Sequence, residues 1–489
     1  MNRSFLAGLA SGYVSIAVQC IAGLLLVPFL LSRHGVGLEG YGIIATLQAV
    51  AALISVVFDG HRQESSRRLA LWTAVSDRDS VAGLLLFTLL TTAALAGCFA
   101  LLATPLSRWL GLAADQYVLA LQLALACIVL EQFCYQLDCS LHAAGRSWIA
   151  SALGAADVAL RSILVVTFFT VLGAQVDLFF AAALTGLGIR TLLLWIACRD
   201  GIGSVRRPIA KGLQQEAAQF VHSLPLALNG IAPYMVFRLS IIAGNKQLGA
   251  EHAGVLAIIL VTLRSYLNQV IFSALRPMLV ARLAVSGLQE INGRARQRFI
   301  DYVTVYQALV YAAAIGAVCS TPLWLPLWLG ESLRPFVPYF MAAVGAYFLE
   351  IAYGIPYYAL VACNHARVLA TVNGVVAAVI GGALFGASRL GLPMSAYVGA
   401  VIAYLALYAL FVRRDFRRLL HFDTRPLDTE LALTTTVASV GGWMLSRAAM
   451  NAVEVLGIAV IAVAAFLAAC HLSVMPMNRA ARLIWPRAA

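Results

Sequence analysis

Four arginines, Arg161, Arg190, Arg238 and Arg264, fall inside long apolar runs. A cation near the middle of a bilayer costs roughly 2.5–3.5 kcal/mol on insertion scales, so such residues face an aqueous cavity, an acid or an anionic ligand. A guanidinium stays charged, and its planar fork matches phosphate oxygens in pairs. The chemistry on offer is therefore capture of a phosphate-bearing substrate. Arg264, with Asn268 one turn further on, is the deepest of the four. It lies ten residues from Gly254 and twelve from Arg276, so roughly 15 Å of helix separates it from either end. A buried ion pair is the rival reading there. Arg238, eight residues from Lys246, and Arg190, nine from Arg199, are near enough to an interface for snorkelling to compete with a ligand role. Arg161 has Asp157 one turn earlier on the same helical face, which favours a self-contained ion pair.

Carboxylates form the complementary set. Glu131, Tyr135, Asp138 and His142 share one helical face, and so do Glu350, Tyr353 and Tyr357. Glu131 precedes Arg146 by fifteen residues and Glu350 precedes Arg367 by seventeen, so the two acids sit at nearly matching depth. Glu131, Asp138, Asp157 and Glu350 are candidates for holding a proton or sodium ion; pairing with the arginines is the equal alternative. Ser11, Ser15 and Gln19 give the first apolar run a polar stripe. Ser15 and Gln19 could meet sugar hydroxyls, although close helix packing is the commoner reason for small residues there.

The elements that position these groups follow from composition. The chain has 489 residues, 62% hydrophobic and 11% charged, with a mean hydropathy of +0.87. A soluble chain carries about 25% charged residues. Apolar runs long enough to cross a bilayer recur throughout, without the ten-residue alternation of a transmembrane barrel. The expected fold is an all-α polytopic membrane protein with about fourteen spans, near residues 11–31, 42–58, 81–104, 117–143, 148–172, 178–198, 219–244, 253–275, 301–320, 336–362, 366–388, 392–411, 431–446 and 453–474. With both termini cytoplasmic, twenty-four of the 34 Lys and Arg fall in inside segments, six outside and four within spans. That bias supports both the span count and the orientation. The net charge of +12 then reflects cytoplasmic loops beside anionic headgroups, not nucleic acid. The nine cysteines all lie in apolar runs without metal-ligand spacing, so neither a disulfide framework nor a zinc site is expected. No cofactor is implied.

The chain also repeats itself. Gly37-Leu38-Glu39-Gly40-Tyr41-Gly42 and Gly249-Ala250-Glu251-His252-Ala253-Gly254 both read G-x-E-x-x-G, 212 residues apart. His142–Arg146 and Cys363–Arg367 match at an offset of 221. Both pairs fall at corresponding hydropathy breaks, which indicates duplication of a six-span unit. An even number of spans gives parallel halves with the substrate path between them. The expected organisation is a six-helix lobe over 1–200, an amphipathic cytoplasmic linker over 201–218, and a second six-helix lobe over 219–412. A cytoplasmic loop over 413–430, helices 13 and 14 within 431–475, and a tail over 476–489 complete it. Ile209, Leu213, Ala217 and Phe220 are spaced to lay the linker on the membrane surface. Pro225, Pro233 and Pro356 mark expected bends.

Val27-Pro28-Phe29-Leu30-Leu31-Ser32-Arg33-His34-Gly35, running into Gly37–Gly42, resembles the start of Wzx-type bacterial polysaccharide flippases. Asp59-Gly60 and Ser65-Ser66-Arg67-Arg68-Leu69-Ala70 are similar to that family's pattern after span 2. The 6+6+2 plan is that of the multidrug, oligosaccharidyl-lipid and polysaccharide exporter superfamily. The resemblance implies an inner-membrane flippase, not an enzyme, that carries an undecaprenyl-diphosphate-linked oligosaccharide to the periplasmic leaflet by alternating access. It would serve exopolysaccharide or lipopolysaccharide O-antigen synthesis. Membrane lipids, a polysaccharide polymerase and a chain-length regulator are the implied partners, and helices 13 and 14 the implied groove for the lipid tail. A multidrug/cation antiporter is the first alternative. Several such antiporters place an acid in span 1, whereas Asn2–Ser32 holds no Asp or Glu. A membrane-bound polymerase or ligase needs a sizeable exported loop that the spans leave no room for, and no nucleotide-binding loop is present.

Overall fold

In lipid, backbone polar groups must pair within their own segment, which leaves helices for runs of this kind. The computed structural model describes residues 3–74, 78–110, 116–199, 213–214, 216–223, 231, 233–268, 293–362, 366–387, 391, 393–420, 460, 462–464 and 466. No strand occurs among them. The longer helices are α1 (Arg3–Leu31), α2 (Gly37–Ala74), α3 (Arg78–Leu101), α4 (Ala103–Trp109), α5 (Val118–Ala143), α6 (Ser147–Leu172) and α7 (Val176–Cys198). After a π-helical turn at Tyr234–Arg238 come α8 (Leu239–Leu248) and α9 (Ala250–Asn268), the latter with its own π-helical turn at Ile258–Leu263. Then follow α10 (Gly293–Leu329), α11 (Val337–Ala352), α12 (Gly354–Ala362), α13 (Ala366–Ala387) and α14 (Met394–Leu420). Ten helices among the described residues are long and apolar enough to cross a membrane; they correspond to expected spans 1–6, 8, 9, 10 and 12. Expected spans 13 and 14 lie almost wholly outside the described residues, as does the linker before Leu213.

Two compact units are formed, Met1–Ile258 with Asn373–Tyr397, and Ile259–Val372 with Val398–Ala489. In the first, α2 is the central element: 72% of its spanning window is buried, against 17% for α1 and for α6. Ile44, Leu47, Val50, Ile54 and Phe58 bury its apolar stripe against α5 and its neighbours. At 38 residues α2 is roughly 57 Å long. That exceeds the ~30 Å hydrocarbon core, and its last sixteen residues project beyond the expected span.

The G-x-E-x-x-G repeat acquires a physical meaning here. The first glycine of each copy, Gly37 (φ +72°) and Gly249 (φ +89°), takes a left-handed conformation at a helix start. Glu39 and Glu251 each lie in the first turn that follows, where a carboxylate favours the helix dipole. The last glycines meet. A Cβ on Gly42 would fall 1.7 Å from the Ala250 carbonyl oxygen, and one on Gly254 would fall 2.5 Å from that of Leu38. Leu38 and Ala250 occupy the same place in the two copies, so the contact is self-complementary.

In the second unit α10 packs against α11, and the Arg264–Asn268 end of α9 does the same. The segment expected as span 10 breaks at Tyr353 between α11 and α12. Pro356 has no N–H to offer the Ala352 carbonyl. Gln307 Nε2 donates to that carbonyl instead at 3.3 Å, and the Tyr306 hydroxyl donates to the Ile351 carbonyl at 2.9 Å.

Candidate functional site

Both π-helical turns stand against an intramembrane arginine. Tyr234–Arg238 follows Pro233 and ends in Arg238, and Ile258–Leu263 immediately precedes Arg264. A π-turn inserts a residue into the helical repeat and re-aims the side chains beyond it, a feature that clusters at functional sites. The carbonyl of Ile259, within the second turn, accepts the Tyr347 hydroxyl at 3.0 Å.

Arg264 grips Glu350 with a two-pronged pair, Nε to Oε2 at 2.9 Å and Nη2 to Oε1 at 2.5 Å. Their side chains are 24% and 16% exposed. The pairing is the fork-to-carboxylate geometry that a phosphate can also satisfy. Asn268 is half-buried one turn beyond Arg264.

The remaining expected charges assemble in the first unit. Asp157, fully buried, accepts from Arg161 Nη2 at 2.7 Å and from Arg190 Nη1 at 3.2 Å. Arg190 Nη2 reaches Asp138 Oδ2 at 2.6 Å. Arg190 thus turns inward to two acids across α5 and α6, where its sequence position had suggested reaching for an interface. Glu131 stands 3.9 Å from Arg161 Nη1 and keeps 43% of its side chain exposed. Gly186 on α7 clears the stem of Arg161: a Cβ there would lie 2.3 Å from Arg161 Cγ. Asp138 Oδ1, Asp157 Oδ1, Arg161 Nε and Arg190 Nε are buried without a partner. A cavity of about 390 Å³ is lined by Arg161, Arg238, Glu131, Gln48, Ser55 and Ser162 beside apolar side chains of α1, α2 and α5–α7. Three of the expected charges therefore converge on one space. Ser15 is buried and accepts from Gln19 Nε2 at 3.2 Å within α1, so those two satisfy each other.

A further cluster joins the projecting end of α2 to residues 216–223. Arg68 Nη1 lies 3.0 Å from Glu216 Oε1, with both side chains at most 10% exposed. Phe220 packs among Phe58, His61 and Phe87 at ring separations of 5.4–5.9 Å. Half-buried there, it gives part of its surface to the aromatic box. Burial first, then the nearby Arg68 charge, lowers the His61 pKa to about 4, so the imidazole is neutral at physiological pH. Beside the box, Arg62 donates to Gln132 Oε1 at 2.8 Å and lies 4.7 Å from the Tyr135 ring centre.

No family model matches the sequence, and no curated protein is significantly similar to it. Solved structures do share its fold. The lipid II flippase MurJ, in an inward closed conformation, aligns over 95% of this chain and 99% of its own with a TM-score of 0.60 at 10% identity. An inward-facing multidrug resistance MATE family transporter of the MOP superfamily aligns over 86% and 96% with a TM-score of 0.54 at 15% identity. For the eukaryotic MATE transporter AtDTX14 the values are 85%, 96%, 0.50 and 14%. The protein is thus an all-helical, multi-pass membrane protein. It shares its fold with these two transporters and this flippase.

Proposed function

We propose that the chain is a flippase that moves an undecaprenyl-diphosphate-linked oligosaccharide from the cytoplasmic to the periplasmic leaflet for polysaccharide synthesis. Two parallel halves would alternate access to the cargo. The observation that carries this reading is the Arg264–Glu350 pair. A mostly buried guanidinium, roughly 20 Å along α9 from Ala250, holds a carboxylate in the way it would hold a diphosphate. Glu350 then keeps the seat while it is empty, and the substrate displaces it. Within the first unit, Arg161 and Arg238, which share a cavity with Glu131, offer a second pair of cations to an anionic cargo.

Complementation of a strain lacking its polysaccharide translocase tests this. Arg264→Ala is expected to abolish polymer and leave labelled lipid-linked precursor on the cytoplasmic leaflet. Arg264→Lys, a point charge without the fork, should restore only part. Arg264→Ala leaves Glu350 unpaired, a loss of about 3–5 kcal/mol where such a pair is buried. The Arg264→Ala/Glu350→Gln double variant therefore runs beside it as a folding control. Normal polymer from well-expressed Arg264→Ala sinks the proposal.

The MATE neighbours and the Glu131–Asp138–Asp157 cluster favour a second reading, a cation-coupled multidrug antiporter. Proton-driven efflux of a cationic dye from proteoliposomes, lost in Asp157→Asn and kept in Arg264→Ala, would select it.

A further inference from the structure

The Arg264–Glu350 pair is flanked by rings on two sides within the second unit. On one side the Tyr266 ring of α9 meets the Trp328 ring of α10 at 6.3 Å, and Trp328 meets Trp324 at 6.0 Å. On the other, Tyr357 of α12 meets Tyr408 of α14 at 5.9 Å. Buried Tyr404 stands between, near enough to interact electrostatically with Arg264, Glu350 and Tyr357. Tyr266 is two residues from Arg264, and Tyr357 is two turns from Glu350, roughly 10 Å along the helix path. Tyr266, Trp324, Trp328, Tyr357 and Tyr408 all keep part of their surface exposed.

Neither of two ordinary explanations covers all five rings. In the Phe58–His61–Phe87–Phe220 packing box of the first unit only Phe220 is partly open and the other three rings are at most 5% exposed, whereas none of these five rings is buried. An interfacial aromatic belt sits at headgroup level. Tyr408 lies fourteen residues into the span Met394–Arg418 and ten from its end, too deep for such a belt, whereas Trp328 is one residue and Tyr266 two residues from the described ends of their spans. The five rings are all Tyr and Trp, which present a π face and a polar edge together.

We infer that these side chains form a sugar ladder: stacking steps for the pyranose rings of a neutral glycan, on either side of the guanidinium that holds its phosphate. A pyranose has an apolar C–H face, which the electron-rich face of an aromatic ring attracts, and a rim of hydroxyls for the phenol and indole edges to meet. Steps of this kind hold sugars by face rather than by one fixed hydrogen-bond pattern, so a chain of several sugars can move from ring to ring. The ladder rests on the phosphate reading for its placement, and the test separates the two.

The experiment measures binding of bare undecaprenyl diphosphate, and of the same lipid bearing a neutral pyranose trisaccharide, to the full chain by native mass spectrometry. Wild type is expected to bind the glycosylated lipid about tenfold more tightly, the worth of one to two ring contacts. Trp328→Ala and Tyr357→Ala should each shrink that ratio at least threefold and leave bare-lipid binding unchanged. Trp328→Phe, which keeps a ring and guards against misfolding, should retain part of it. Arg264→Ala should weaken both lipids equally. A ratio untouched in both alanine variants, or no ratio in wild type, overturns the ladder. If bare lipid fails to bind and Arg264→Ala changes nothing, the phosphate reading falls alone. The ladder is then decided by whether the free trisaccharide quenches tryptophan fluorescence in wild type and not in Trp328→Ala.

Discussion

Replacing Gly42 by alanine sets a methyl carbon 1.7 Å from the Ala250 carbonyl oxygen and 2.7 Å from the Gly254 nitrogen. A carbon needs about 3.3 Å from such an oxygen, so α2 and α9 must part by roughly 1.5 Å at the crossing. Backbone forms the obstacle on the α9 side, and no rotamer change relieves it. Gly254→Ala meets the Leu38 carbonyl at 2.5 Å and a movable Leu38 methyl at 3.0 Å, which asks for roughly half that displacement. Overpacking costs about 1–3 kcal/mol and sometimes more, partly offset by about 1 kcal/mol of improved helix propensity. Gly42→Ala should therefore lose about 2–3 kcal/mol and Gly254→Ala about 1 kcal/mol. Gly83 and Gly97 on α3 have nothing within 4 Å of their Cβ positions, and alanine there should be neutral or slightly stabilising. Thermal unfolding of the four purified variants, with a cysteine pair introduced at Leu38 and Ala250 to report the crossing, gives the order directly. Gly42→Ala melting with Gly83→Ala, its crosslink undiminished, would refute the close approach and with it the self-complementary contact of the two copies.

The Arg68–Glu216 pair should behave as a latch between the α2 extension and residues 216–223. Arg68→Glu or Glu216→Arg alone should destabilise by about 2–4 kcal/mol, and the double reversal should recover at least half in a double-mutant cycle; purely additive losses would dismiss the latch. For His61, the folded pKa of about 4 lies below its ordinary 6.5. The unfolded chain therefore binds the extra proton first, and stability falls as pH drops from about 6.5 toward 4. The full effect is about 3 kcal/mol. Melting curves of wild type should converge on those of His61→Leu over that window, and parallel pH profiles would count against a neutral, buried imidazole.

Those contacts mark where sequence reasoning carries and where it stops. Helical class, the spans within the described residues and the Arg161–Asp157 pair were legible because each depends on spacing along one helix, a period of 3.6 or an i,i+4 step. The matching glycines of the two G-x-E-x-x-G stretches were legible as well, since glycines forced by backbone approach leave a pattern that side-chain packing does not. Arg264 and Glu350 were both singled out, each from its own depth, yet nothing local joins residues 86 apart in the chain. The inward turn of Arg190 was hidden for the same reason: Asp138 and Asp157 lie on other helices. The continuation of α2 past Phe58 was obscured by charge. Arg62, Arg67 and Arg68 read as a cytoplasmic loop, and only the buried pattern His61, Ser65, Arg68, Leu69 betrays a packed helix face. The two π-turns had no signal apart from Pro233, because a π-turn depends on what the freed carbonyls find: the Ile259 carbonyl finds the Tyr347 hydroxyl. Costly intramembrane charges could be located from the chain by their price in lipid. Their partners depended on helix rotation, which irregular turns re-aim beside Arg238 and Arg264 and which in the uninterrupted helices of Arg161 and Arg190 follows from packing with other helices.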